Sequence, residues 1–559
     1  MSAKNARARH RRFLTAGFFP PELPRCFYSE KLGKYRNYLL SNFEKIPTIG
    51  KQKEPSYYYY KGNRSSFNYP RFSKHHRRHS FINPASYFFL SKILSDKYIE
   101  LRKISKKSKI SVSPSVFDWS GDRALKRPVF ESREYFLSNL NARFAYIINS
   151  DLSAFYHSIY THAIAWAVHG KSFAKKNRSL KHVGNLIDLI SRNSQDGQTI
   201  GLPVGPDTSR MIAELVGSAI DLPVQNTAGI TANSAMRFVD DFSVGTHTKE
   251  RAESVIASIR RAANTFELDI NNEKTFISAS SSYYVWGWKS YIRSIIPKPP
   301  YDAQSIDLFL YNLNRTSGEN RESNVAKFAL QNARRAFLEC DSWKQVEMYP
   351  ISIYRENPTV ISILSEIFII RHLTKGDVTI DLIKDLVQSS LPVLCEQQKA
   401  GEAVWLLHLA LSLGITLKAK VLKPFLTEED PLIAVLIADA RSKGLVDGNL
   451  TFSHWNTFLT ADGLNSHMWL YAYETTLKAT NGTAKTKHVT DHEYFRHIFA
   501  KKIEFYRSDL DFYKLAPLLK KMKKENLAKN KLVDDFEVDF SFDIDEIDPD
   551  EDEIFVDEY

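Results

Sequence analysis

The sequence predicts an α+β N-terminal half followed by an all-α half of HEAT-like helical repeats, and three observations predict it. Strand-like and helix-like runs alternate between about 145 and 295, only helical periodicity remains beyond 305, and the helical units there recur at spacings of roughly 30 to 45 residues. A chain of 559 residues is too long for one compact core. Its composition divides it into a basic, Tyr-rich segment 1–80, a mixed region 81–300, a helical region 301–530 and an acidic tail 531–559.

Residues 55–79, PSYYYYKGNRSSFNYPRFSKHHRRH, interleave cations with aromatics. Such a run suits either a surface that tracks a nucleic-acid backbone and stacks bases, or a tyrosine-rich packing arm. A helix is expected to start near Pro84. FAYIINSDLSAF then reads as a strand, THAIAWAVHG as a helix, and SRMIAELVGSAID as a helix following a Gly/Pro loop. RFVDDFSVG (237–245) reads as a hairpin with Asp240 and Asp241 at its turn, KERAESVIASIRRAANTF as an amphipathic helix and YYVWGWKSYI as a strand pair, giving a sheet with helices on one side. In the second half, segments such as GEAVWLLHLALSLG and DPLIAVLIADARSKG begin at capping residues or Pro and end at Gly414 and Gly444. His408 and Trp405, Trp455 and Trp469 read as core.

The three cysteines, Cys26, Cys340 and Cys395, form no CxxC pair, which argues against a disulfide framework or a zinc site and fits a reducing, intracellular setting. The basic N-terminus lacks the apolar core of a signal peptide and no segment approaches a membrane span, so the expectation is a soluble, cytoplasmic protein with no membrane partner. The net charge of +12 conceals an asymmetry: residues 534–559 hold fourteen Asp or Glu and no Lys or Arg, leaving 76 Lys and Arg against 50 acids on the rest. A body that basic points to a polyanionic partner, nucleic acid above all. The tail reads either as a solubilising extension or as a polyanion mimic lying in the nucleic-acid channel.

Two carboxylates projecting from a hairpin need a third to hold a pair of divalent cations, the arrangement that stabilises the attacking and leaving oxygens in phosphoryl transfer. Asp151, at the end of an apolar strand, supplies it. Between them, QTIGLPVGPDTSRMIAE (198–214) sets Gly201, Pro203 and Gly205 in a loop whose bare backbone admits a base or phosphate, ahead of a helix beginning near Asp207 or Thr208. Downstream, the Lys274 ammonium is placed to protonate a leaving pyrophosphate.

In this order, DLSAFY, GLPVGPDTSRMIAE, FVDDF, NNEKT and VWGWKSY resemble motifs A to E of a reverse transcriptase palm, over about 145–295. RRHSFINPASYFFLSKIL resembles the finger segment that precedes it. The resemblance implies a right-hand polymerase palm and fingers followed by the helical-repeat domain. It implies that Asp151 and Asp240 bridge two Mg²⁺ (or Mn²⁺), with Asp241 beside them and the Leu152 carbonyl completing one shell. Phe155 and Tyr156 fall at the nucleotide, Tyr156 as the aromatic that blocks a ribose 2′-OH. Gly201, Pro203 and Gly205 would lie against the nascent base pair, Ser209 and Arg210 would open the motif B helix, and Lys274 would be the general acid.

The sequence departs from the usual Tyr-Xaa-Asp-Asp by placing Phe238 first, and no maturase thumb, HNH pattern or RNase H segment follows the palm. The all-helical second half resembles the abortive-infection and related defence-associated bacterial reverse transcriptases. That resemblance implies an antiphage DNA polymerase taking dNTPs, making single-stranded DNA, working as a homo-oligomer, and primed from a protein tyrosine or templated by a non-coding RNA. Tyr559 and Tyr57, Tyr58, Tyr59 and Tyr60 are the priming candidates. The alternative is a conventional RNA-templated enzyme of intron or retron type; a scaffold with a vestigial site would need a lost carboxylate, and all three are present.

Overall fold

The structure, a computed structural model, describes residues 2–47, 54–71, 75–127, 130–227, 230–280, 287–321, 323–483 and 485–509. The acidic tail with Tyr559, and the YYVW part of the last expected strand pair, lie outside them. Near the N-terminus, β1 (Ser65–Pro70) and β2 (His76–Phe81) pair as an antiparallel hairpin. Asn83 then caps the helix Pro84–Asp96, its side chain accepting from the Ala85 N–H, with Pro at the first helical position where no donor is missed.

A four-stranded antiparallel sheet follows, in the order β4-β5-β3-β6, from β3 (Tyr146–Asp151), β4 (Ala235–Phe238), β5 (Asp241–Thr246) and β6 (Phe276–Ala279). Successive residues of a strand face opposite sides. In β3, Ile148 joins the main core with Ile259 of the helix Lys249–Thr265, while Ile147 meets Leu137 and Leu140 of the helix Phe130–Arg143. Helices therefore cover both faces of the sheet, not one. The helix Asp207–Gln225 runs buried through most of its length. A second correction concerns residues 287–295: Gly287–Ile295 is a helix, with Ile292 fully buried, where the aromatic run had read as strand.

From Ala303–Glu319 onward the mixed α+β half gives way to helices packed in succession, each against the next or against one two or three positions on, as a HEAT-like array does. Among the described residues a two-residue pairing, β7 (Leu417–Lys418) with β8 (Val446–Asp447), interrupts them. Gly414 and Gly444 end their helices at φ of 66° and 70°, the left-handed cap that glycine adopts without a Cβ penalty. His408, Trp405, Trp455 and Trp469 are buried core residues. Among the described residues no helix is long and apolar enough to cross a membrane.

The N-terminal segment is a packing arm. Phe18 meets Trp469 and Phe505, with ring centroids 6.2 and 5.8 Å apart, and Phe27 bridges Tyr506 as a short antiparallel pair. Tyr60 donates its hydroxyl to Asn465 Oδ1 at 2.6 Å, and the Trp405 indole donates to the Glu22 carbonyl. The last helices thus close on the first residues of the chain.

Candidate active site

The antiparallel register sets Asp151, the last residue of β3, directly opposite Asp241, the first of β5. Phe238 pairs with Asp241, so the two-residue turn is Val239-Asp240 and not Asp240-Asp241. Val239 holds φ at 61°, a conformation costly for a β-branched residue. Two hydrogen bonds maintain it: the Val239 N–H donates to Ser113 Oγ at 2.9 Å, and Arg237 Nη1 donates to the Val239 carbonyl at 2.6 Å. Arg237 is itself fully buried and forked onto Asp221 and Glu214 of the helix Asp207–Gln225 at 2.8 and 3.1 Å. Burial alone would lower its pKa, yet the two carboxylates push it up, keeping it cationic. Ser111 Oγ donates to Glu214 and Ser108 Oγ to Asp221, both at 2.6 Å. Gly217 leaves room for the guanidinium, since a Cβ there would lie 2.7 Å from Arg237 Cζ.

This support brings carboxylate oxygens of Asp151, Asp240 and Asp241 within 4.8 Å of one another. Burial first, then the charges of Asp241 and Asp151, push the Asp240 pKa up to about 6. Asp241 is also raised by burial, although Arg133 opposes the shift from 3.7 Å. A crowded anionic cluster of hard oxygen donors fits divalent cations of the Mg²⁺ class. Lys274, in a short turn capped by Asn271, places its ammonium 2.5 Å from Asp151 Oδ2. Arg71 and Arg77, on or beside the strands of the β1-β2 hairpin, lie within electrostatic range of the cluster: burial and Arg77 lower the Arg71 pKa against the pull of the three carboxylates, and Arg77 weakly opposes the rise of Asp240.

The raised Asp240 pKa gives a test of metal-free stability. A carboxyl whose folded pKa exceeds its ordinary 3.8 contributes stability below pH 4 that is lost as pH rises through 6. In chelator, Asp240→Asn should therefore melt higher than wild type above pH 6 and converge with it near pH 4. At neutral pH Mg²⁺ should raise the wild-type melting temperature more than the variant's. Scanning calorimetry checks both, and an equal difference at pH 4 and pH 7.5 would contradict the assignment.

The other sequence candidates fall as follows. Leu152 and Phe155 are buried, the Leu152 N–H donating to the Asp240 carbonyl at 3.1 Å. Tyr156 shares a small crevice with Ser113, Arg210, Glu214 and Val239, beside the carboxylates. The Gly201 loop is tied to it, Leu202 N donating to Tyr156 O at 2.7 Å and Gly201 N to Ile159 O at 2.8 Å. The close approaches that these glycines permit are made by the protein itself: a Cβ on Gly201 would lie 3.1 Å from the His157 carbonyl, and one on Gly205 2.4 Å from Pro20. Pro203 and Ser209 are buried, and Arg210 donates to the carbonyls of Leu125 and Lys126.

Of the tyrosine run, Tyr57 stacks on Phe89 at 4.0 Å, Tyr58 lies edge-on to Tyr57, Tyr59 bonds Glu54 and Tyr60 is buried. Sequence reasoning missed Arg71, Arg77, Arg133 and Arg237. Arg237 opens the very stretch that carries the aspartates, and a basic residue two positions before the turn was the available signal.

The reverse transcriptase (RNA-dependent DNA polymerase) family model matches residues 94–294. No curated protein matches the chain. Solved structures similar to it include the apo telomerase from Candida tropicalis (12% identity, 71% of this chain and 76% of that one, TM-score 0.32). Another is the telomerase from Candida albicans in complex with the TWJ fragment of telomeric RNA (10% identity, 71% and 67%, TM-score 0.26). Overlaps that loose carry no argument. The family match and the carboxylate cluster within its span give the conclusion: the chain carries a reverse transcriptase domain and is an enzyme of the nucleotidyltransferase class.

Proposed function

We propose that the protein is a DNA polymerase that extends a 3′-hydroxyl with dNTPs on an RNA template. The observation that carries this reading is the convergence of Asp151, Asp240 and Asp241 at one end of the sheet, within electrostatic range of Arg71 and Arg77. Divalent cations held by these carboxylates would supply charge stabilisation for the attacking and leaving oxygens. Arg71 and Arg77 would neutralise a triphosphate, Lys274 would hold a proton near the leaving group, and Tyr156 would limit space beside the sugar.

A second reading, protein-primed or template-independent synthesis in antiphage defence, is favoured by the helical array where a thumb is expected. One experiment separates them: purified protein with Mg²⁺ and each labelled dNTP, with and without an RNA template and DNA primer. Extension only with template and primer supports the first reading; label bound covalently to protein without either supports the second; incorporation in neither arm overturns both.

If Tyr156 excludes the 2′-OH, Tyr156→Ala should raise the relative rNTP efficiency by about 10- to 100-fold, the effect of ~1–3 kcal/mol of lost discrimination. Competitive extension with matched dNTP and rNTP measures it. Unchanged selectivity would show that another residue excludes the ribose.

A further inference from the structure

We infer that the groove between the helices Met348–Glu356 and Ile380–Glu396 and the stretch made by β7 and the short helix Ala419–Leu422 is the docking site of this chain's own acidic segment, residues 535–545. The groove encloses about 460 Å³. Ile351, Leu386 and Val421 give it an apolar floor, and Arg355, Lys418 and Lys420 stand on its rim. Among the described residues no carboxylate pairs with any of these three cations, although Asp385 also lines the groove and leaves the rim less positive than the three alone.

The described chain ends within reach of this groove. Lys443 Nζ donates to Ser508 Oγ, and four residues beyond Lys443, Asp447 pairs with Lys418 across the β7-β8 ladder. The Lys443–Ser508 side-chain link, four residues and one strand spacing separate the exit from the rim by at most ~30 Å. The roughly 25 residues between Asp509 and the acidic run could span ~80 Å, so reach is no obstacle.

The segment matches the groove in pattern. Phe536, Val538, Phe540, Phe542 and Ile544 occupy every second position, with carboxylates at all but one of the positions between and beside them. In an extended chain the apolar residues share one face and the acids the other. Laid in the groove, the first face covers the floor and the second meets the rim, removing exposed apolar surface and answering unpaired cations together. Two rival seats are weaker. Near Asp151, Asp240 and Asp241 the carboxylate cluster repels an acidic peptide, and a single strand of nucleic acid in the groove would find no aromatic among its lining residues to stack on.

Zero-length carbodiimide cross-linking of the full chain, read by mass spectrometry, tests the assignment. Carboxylates of 535–545 should join Lys418 and Lys420 at low salt, with the yield falling several-fold at high salt as the charges are screened. In the double variant Arg355→Glu/Lys420→Glu, cross-links to the remaining Lys418 should fall at least about fivefold, with unfolding temperature and nucleotide incorporation unchanged. Absence of these links, undiminished Lys418 links in the variant, or links mainly to the lysines of 520–531 or to Lys126 would overturn it. So would mixed-mass links between isotope-labelled and unlabelled copies, which assign the occupant to another molecule, or ultraviolet cross-linking of oligo(dT) into the groove in place of the tail.

Discussion

Asp151→Asn and Asp240→Asn should each lower nucleotide incorporation by about a thousandfold or more, the ~4 kcal/mol expected when a metal-binding charge is removed from a phosphoryl-transfer site. Asparagine keeps the shape of either side chain and deletes its charge, so the effect isolates cation binding from packing. The two positions differ in their surroundings. Asp151 already shares its charge with Lys274 at 2.5 Å, and its loss also frees that ammonium. Asp240 sits on the strained turn with a pKa pushed up to about 6, so its loss relieves repulsion and leaves the fold at least as stable. Asp241→Asn should be the mildest of the three, because Arg133 stands beside a side chain that is 43% exposed. Primer extension over a range of Mg²⁺ and Mn²⁺ concentrations, with thermal unfolding as the control for folding, measures the series. Activity within tenfold of wild type in either of the first two variants would end the metal-site assignment.

Arg237→Met should destabilise the protein by about 3–5 kcal/mol, because it strands Asp221 and Glu214 as buried carboxylates with no cation between them. The same change removes the Nη1 donor that holds the Val239 carbonyl, so incorporation should fall even where the variant remains folded. Neutralising the whole group in Arg237→Met/Glu214→Gln/Asp221→Asn should recover most of the stability, since no uncompensated charge is left, without restoring the turn's hydrogen bond. Gly217→Ala reaches the same cluster by another route, pressing a methyl against the guanidinium. Urea unfolding read by circular dichroism gives each cost. A loss below about 1 kcal/mol for Arg237→Met would mean that the cluster relaxes or admits water instead of remaining paired.

What the sequence made legible was local. β3, the DD hairpin and the helices from Pro84, Asp207 and Lys249 follow from periodicity, caps and Gly/Pro punctuation, each of which acts over a few residues. The turn slipped by one residue because Ser113 and Arg237 hold Val239 where its own preference would not, and those partners are distant in sequence or buried. The 287–295 helix was misread because Trp288 and Tyr291 are strand-favouring types, whereas burial of Ile292 against neighbouring helices decides the conformation. The packing role of the Tyr-rich arm was one of two open readings, because nothing within that run announces that its partners, Asn465 and Trp469 to Tyr506, arrive some 400 residues later.

That closure of the last helices on the first residues has a consequence for synthesis. Phe18 and Phe27 leave the ribosome long before Phe505 and Tyr506 exist, by roughly half a minute to a minute and a half at ordinary elongation rates. Throughout that interval the arm can meet only its nearer partners, Phe18 against Tyr87 and Phe19 against Phe81, while the contacts of Phe18 and Phe27 with the last described residues are still missing. Few early contacts can offset the entropy of holding such distant segments together, so assembly of the polymerase waits on translation of the helical array. A chain stopped short of the helical array would therefore carry Asp151, Asp240 and Asp241 without the contacts that close the arm.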